Sequence, residues 1–187
     1  MKNLIALAAA GVSLVGIASA QGYFGAHLGV SSVTDANLSI EGEGIGEVIY
    51  DDGVNFGLLG GFQFSKFFAG ELEIVGATND SEFFVGDEDY SVTSFFANAV
   101  VSTPVDQRII VWGGAGAGFA SNNIEDGGNG FATQLKVGAD LQVVGPHYVS
   151  LQAGWVNTDG FRQTQDGTEF EVGYGNESIS LGYRFRY

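Results

Sequence analysis

Six charged residues sit at even spacings inside alternating stretches of the chain: Glu71 and Glu73, Lys136 and Asp140, Arg184 and Arg186. In an extended chain, even spacing puts side chains on one face. Carboxylates at alternate positions of an otherwise apolar strand make sense only if that face is wet. Three acids against three bases predict pairing across a shared interior, with five of the six toward one end and Lys136 apart from them. Such a set serves either as a structural plug or, by exchanging partners, as an ion path or gate.

Other chemistries find less support. A triad needs His, Ser and a carboxylate brought together. Here His27 is predicted to point inward as a hydrogen-bonder and His147 to lie in a short turn, and neither can be given such partners, so no enzyme and no cofactor are expected. The glycines from 113 to 118 look superficially like a nucleotide loop, but they fall in a strand with no helix behind them. Acidic residues crowd two polar links: Glu41, Glu43, Glu47, Asp51 and Asp52 in one, Asp87, Glu88 and Asp89 in the other. Oxygen-rich, histidine-poor clusters suit Ca²⁺ or Mg²⁺. No full calcium-loop pattern is present, so a solvated acidic surface is the simpler reading and the metal stays open.

Positioning these residues requires strands. Period-two alternation predicts eight: Tyr23 to Ser31, Val54 to Phe64, Phe68 to Ala77, Val92 to Ser102, Ile109 to Ala120, Phe131 to Val143, Val149 to Val156, and a last one ending the chain, with a bulge or boundary near Asn176 and Glu177. The sixth is the clearest, with Thr133, Leu135, Val137, Ala139 and Leu141 on one face and Gln134, Lys136, Gly138, Asp140 and Gln142 on the other. The apolar face is bulky, while the polar face is rich in glycine. A soluble sandwich or lipocalin-like barrel would put its apolar face inside and would not fill the other with glycine. The pattern therefore predicts an all-β, eight-stranded antiparallel up-and-down barrel with its apolar face toward lipid. Short links at Ser65-Lys66, Thr103 to Arg108 and Gly145 to His147 alternate with long ones at Ser32 to Gly53, Thr78 to Asp89, Ser121 to Gly130 and Asn157 to Thr168. Both prolines, Pro104 and Pro146, fall in short links, where a missing N–H breaks no ladder.

The termini agree. Lys2, the apolar stretch Leu4 to Ile17 and Ala18-Ser19-Ala20 read as a signal peptide cleaved before Gln21, leaving residues 21 to 187 as one barrel domain. Six basic residues then stand against 22 acidic ones, a net charge of −16, which makes nucleic acid an unlikely partner. Cysteine is absent, so no disulfide contributes. At the C-terminus, Ser180, Gly182, Phe185 and a terminal Tyr187 resemble the signal by which bacterial outer-membrane barrels are recognised for insertion.

Together the eight strands, the four long links, the Gly-Ala-Gly-Ala-Gly-Phe run at 114 to 119 and the terminal signal resemble the OmpA/OmpX-like superfamily of small outer-membrane barrels, particularly its opacity-protein-like or "porin family" members. That resemblance implies location in the bacterial outer membrane, contact with outer-membrane lipids and lipopolysaccharide, handling by the barrel-assembly machinery, and outer loops that meet a surface ligand. Nothing past Tyr187 matches the peptidoglycan-binding domain of larger members, so tethering to the cell wall is not expected. Two functional classes remain. One is a plugged barrel with a structural and surface-interaction role; the alternative is a narrow channel for small solutes or ions.

Overall fold

The computed structural model describes residues 21–35, 37–40, 43–47, 52–79, 90–122, 129–165 and 168–187. The described elements are ten strands. They are β1 (Gly22–Asp35), β2 (Asn37–Ile40), β3 (Glu43–Glu47), β4 (Gly53–Gln63), β5 (Phe68–Asn79), β6 (Tyr90–Ser102), β7 (Ile109–Asn122), β8 (Asn129–Val144), β9 (His147–Gln165) and β10 (Thr168–Arg186). Strand β1 pairs with β4, each later barrel strand pairs with the next, and β10 returns to β1, so eight antiparallel strands close on themselves. Closure satisfies every wall strand on both edges, which is what a wall in contact with hydrocarbon requires.

The register also fixes the tilt. Pairing followed from His27 through β4, β5, β6 and β7 reaches Gly130 on β8, whereas pairing followed through β10 and β9 reaches Asp140, ten residues away. A stagger of that size inclines the strands by roughly 40° to the barrel axis. An eight-stranded barrel of this kind leaves an interior that side chains can fill.

The alternation read from the chain sets the two faces as expected. Leu28 is 62% exposed on the outside, while Lys136 and Asp140 inside are 1% and 0% exposed. Phe56, Leu58, Leu72, Phe119, Leu135, Leu151, Ile179 and Leu181 belong to the same exposed apolar belt. A belt of that extent far exceeds the apolar patches that water-exposed surfaces carry. The short links are tight. Ser65 Oγ accepts the backbone N–H groups of Phe67 and Phe68, both at 3.2 Å. Gly145 adopts φ 51°, a left-handed conformation that glycine reaches without strain, and Pro146 follows it.

Two expectations need correction. The segment from Asn157 to Thr168 is not a polar link: β9 runs on to Gln165 and β10 starts at Thr168, so strand reaches almost to the tip of the hairpin. The first long link contains the hairpin β2–β3, and β2 pairs with β10. Above the apolar belt Phe161 and Tyr174 turn an apolar side inward, the reverse of the belt below, so the period-two signal breaks although the ladder continues. The bulge expected near Asn176 and Glu177 is met at Asn176 against β1, and a second irregularity lies slightly farther up against β9. Gly173 drops out of the β9–β10 register, and Thr34 drops out of the β1–β10 register opposite Asn176 and Gly175.

Candidate functional site

Inward parity on seven of the barrel strands converges on one buried network. On the half of the interior nearest the short turns, Asp140 accepts from Trp112 Nε1 (2.8 Å), Ser150 Oγ (2.7 Å) and Arg186 Nη2 (2.8 Å), with Arg184 Nε 3.6 Å away. The Arg184 guanidinium lies 4.1 Å over the Trp112 ring and 5.4 Å from Tyr23. Arg186 lies 4.8 Å over Tyr23 and 5.4 Å from Tyr148. Ring faces carry partial negative charge, so they stabilise guanidinium groups that burial has stripped of water.

Above this layer, the Lys136 ammonium is clasped between Glu71 and Glu73, with Glu73 Oε2 at 2.6 Å. Glu71 also accepts from Tyr23 OH (2.9 Å) and lies 3.7 Å from Arg184 Nη1. Glu73 takes Asn98 Nδ2 (3.2 Å) and His27 Nε2 (3.0 Å). All six charges singled out from the chain thus belong to one cluster. Lys136, expected apart from the other five, joins them through Glu71.

The interior is not polar throughout. Toward the long links Val75, Val92, Phe96, Ala120, Ala132, Phe161 and Tyr174 form a buried apolar layer. A second apolar group of Tyr23, Leu59, Ala69, Val100 and Trp112 lies toward the short turns. Sequence reasoning passed over Tyr23, Phe96 and Trp112, although they share the parity of His27, Asn98 and Gly114. Bulk at those positions was the available signal.

Register explains how such bulk fits. His27, Tyr23 and Trp112 are paired directly with Gly57, Gly61 and Gly138 on the adjacent strand. A Cβ at any of those glycines would run into the partner's ring. Each large side chain therefore lies flat across a strand that has nothing to raise it.

The C-terminal residues have defined surroundings. Ser180 Oγ donates to Asn55 Oδ1 (3.1 Å), and Gly182 lies in register with His27 and Ser150. The Phe185 ring lies 5.2 Å from Phe24, 5.3 Å from His147 and 6.3 Å from Tyr187, whose N–H donates to Gly22 O (2.9 Å). His147 opens β9, with Nδ1 2.5 Å from Tyr183 OH. Of the acidic-link residues, Glu43 and Glu47 fall on β3 and Asp52 is exposed before β4, whereas Glu41, Asp51, Asp87, Glu88 and Asp89 lie outside the described residues. Among the described residues, no group of three or more acids and histidines is placed to hold a metal.

No protein-family model and no curated protein matches the chain. Solved structures do. OprG, an outer membrane protein from Pseudomonas aeruginosa, is 14% identical with a TM-score of 0.61 over 88% of this chain and 96% of its own. The outer membrane protein AlkL, determined in lipid bilayers, is 13% identical with a TM-score of 0.58 over 92% and 93%. Neisserial surface protein A is 14% identical with a TM-score of 0.56 over 90% and 99%. Closed by eight antiparallel strands, apolar outside and charged within, this chain has the fold of the small outer-membrane β-barrels.

Proposed function

We propose that this protein is a bacterial outer-membrane barrel whose interior is plugged by its own side chains, and whose role is structural and interactive at the cell surface. The observation that carries this reading is the buried charge cluster roofed by an apolar layer. Every charge of the cluster has an opposite charge within 3.7 Å, which leaves a passing ion no unneutralised partner even though Arg184 Nε and Nη2 and Arg186 Nε make no hydrogen bond, and the Phe96, Phe161 and Tyr174 layer offers it no solvation. The exposed apolar belt and the three neighbours in this fold support the membrane location. The short-turn end then faces the periplasm and the β2–β3 and β9–β10 hairpins face outward.

In this reading residues 1–20 are removed in transit, and Ser180, Gly182, Phe185 and Tyr187 serve the barrel-assembly machinery. The acidic links approach lipopolysaccharide phosphates through Ca²⁺ or Mg²⁺. One observation favours a narrow channel as the second reading. His27 Nδ1, Asn98 Oδ1, Gln134 Oε1 and Asn176 Nδ2 are buried without a protein partner. Buried polar atoms call for hydrogen bonds, so solvent in that part of the interior would suit them.

Single-barrel conductance in a planar bilayer separates the two readings. A silent bilayer for both the wild type and Glu71→Gln/Glu73→Gln is the expected result. Discrete openings altered by that pair of substitutions would establish the channel instead.

A further inference from the structure

The outer wall is not uniform. A trough of about 940 Å³, almost wholly apolar, crosses it. Its floor is Gly113, Ala139 and Ala153, where three successive strands present almost no side chain, and the larger Val111 and Leu151 border it. Part of the trough follows a single register row: Val101, Gly113, Val137, Ala153 and Ile179 are partners across β6, β7, β8, β9 and β10. It therefore runs along the hydrogen-bond direction, oblique to the barrel axis. At its foot are Phe67, Thr103 and Pro104, in or beside the short turns.

From Phe67 to Ile179 the row crosses five strand spacings, roughly 24 Å. On strands tilted by roughly 40° that is a climb of roughly 15 Å, the hydrocarbon depth of one leaflet. The foot is also where exposed positive charge gathers. Lys66 and Arg108 are exposed in the two turns that bound it, and Lys66 Nζ lies 3.6 Å from Asp106.

We propose that this trough holds one phospholipid of the leaflet at the short-turn end, with an acyl chain along Gly113, Ala139 and Ala153 and the phosphate beside Lys66 and Arg108. The inference rests on the membrane location proposed above. An acyl chain suits the trough better than a second barrel, because its lining is apolar, its centre is nearly bare of side chains, and Lys66 and Arg108 outnumber Asp106 in the turns at its foot.

The test uses the mature barrel refolded into phosphatidylethanolamine/phosphatidylglycerol vesicles, extracted in mild detergent, and weighed intact by mass spectrometry. The expected result is about one phospholipid retained per barrel, falling about tenfold, near 1.4 kcal/mol, when Gly113→Leu, Ala139→Leu and Ala153→Leu fill the trough. Gly113 has only ordinary contacts near its missing Cβ, so the wall tolerates the change. Gly60→Leu, on the outer face of β4 with open space around it, keeps the lipid and serves as the control. Lys66→Gln with Arg108→Gln lowers retention while the filled-trough variants still integrate. Equal retention in filled and control barrels overturns the proposal, as do dimers that only the filled variants abolish. A chain that does not enter vesicles overturns the membrane reading itself, and heat-modifiable mobility separates that failure from loss of the lipid.

Discussion

Lys136 shows what a single residue contributes here. Its ammonium is 1% exposed and lies between two carboxylates that are themselves fully buried. Removing one partner of such a cluster leaves a charge with neither water nor counter-ion, at a cost of about 3 to 5 kcal/mol. Lys136→Met is therefore expected to lower stability by that amount in urea unfolding, and adding Glu73→Gln should recover part of the loss. A second change that costs as much as the first would mean that the pair is not energetically coupled. The parity of these charges was legible in the chain. Their partners were not, because which carboxylate a lysine meets across the interior depends on the stagger of strands far apart in sequence.

The glycines carry a second prediction at the same scale. Gly61→Val sets a branched side chain where the Tyr23 ring lies, which must displace both the ring and its hydrogen bond to Glu71. Overpacking of this kind costs about 1 to 3 kcal/mol. The same substitution at Gly60, the next residue but facing outward into open space, should leave unfolding within about 0.5 kcal/mol of the wild type. Similar losses at the two positions would show that glycine matters here for the backbone and not for the ring.

Among the elements, β10 does the most. It closes the barrel against β1, carries Arg184 and Arg186 inward, and continues above the belt to pair with β9 and β2. Its final turn packs Phe185 between Phe24 and His147. Phe185→Asp puts a charge into that aromatic cluster and into the proposed insertion signal, so the amount of heat-modifiable barrel recovered from membranes should fall several-fold. Unchanged recovery would remove the assembly role from this strand. Strand existence was readable wherever one face is apolar and the other polar. The outer halves of β9 and β10 were not readable, because Phe161 and Tyr174 turn an apolar side inward there and a register shift separates them from the belt, so the belt's period does not carry through.

At the scale of the whole molecule, closure replaces the staples that other small domains use. There is no cysteine to cross-link, and each barrel strand finds its neighbours through the backbone. Such a ring should unfold as one unit, so the loss of its fluorescence signal and the loss of heat-modifiable mobility should coincide along a urea titration. Separated transitions would point to an outer sheet, built from β2, β3 and the tops of β9 and β10, that melts independently. The plug belongs to this scale as well: the charge cluster and the apolar layer above it draw on seven of the eight barrel strands, all but β4, and conductance is the property that reports on them together.

What the chain alone determined was the alternation, and with it the number of barrel strands, the direction each face points, the ends that carry short and long links, and the residues whose charges share the interior. These are local consequences of a period of two and of the poor tolerance of either face for the wrong polarity. What only the tertiary structure decided was everything that depends on stagger. A ten-residue offset around the ring sets Tyr23, His27 and Trp112 over glycines, brings Lys136 to Glu71 and Glu73, and aligns Gly113 and Ala153 in one row. No stretch of sequence encodes that offset by itself, because it is settled only when the last strand meets the first.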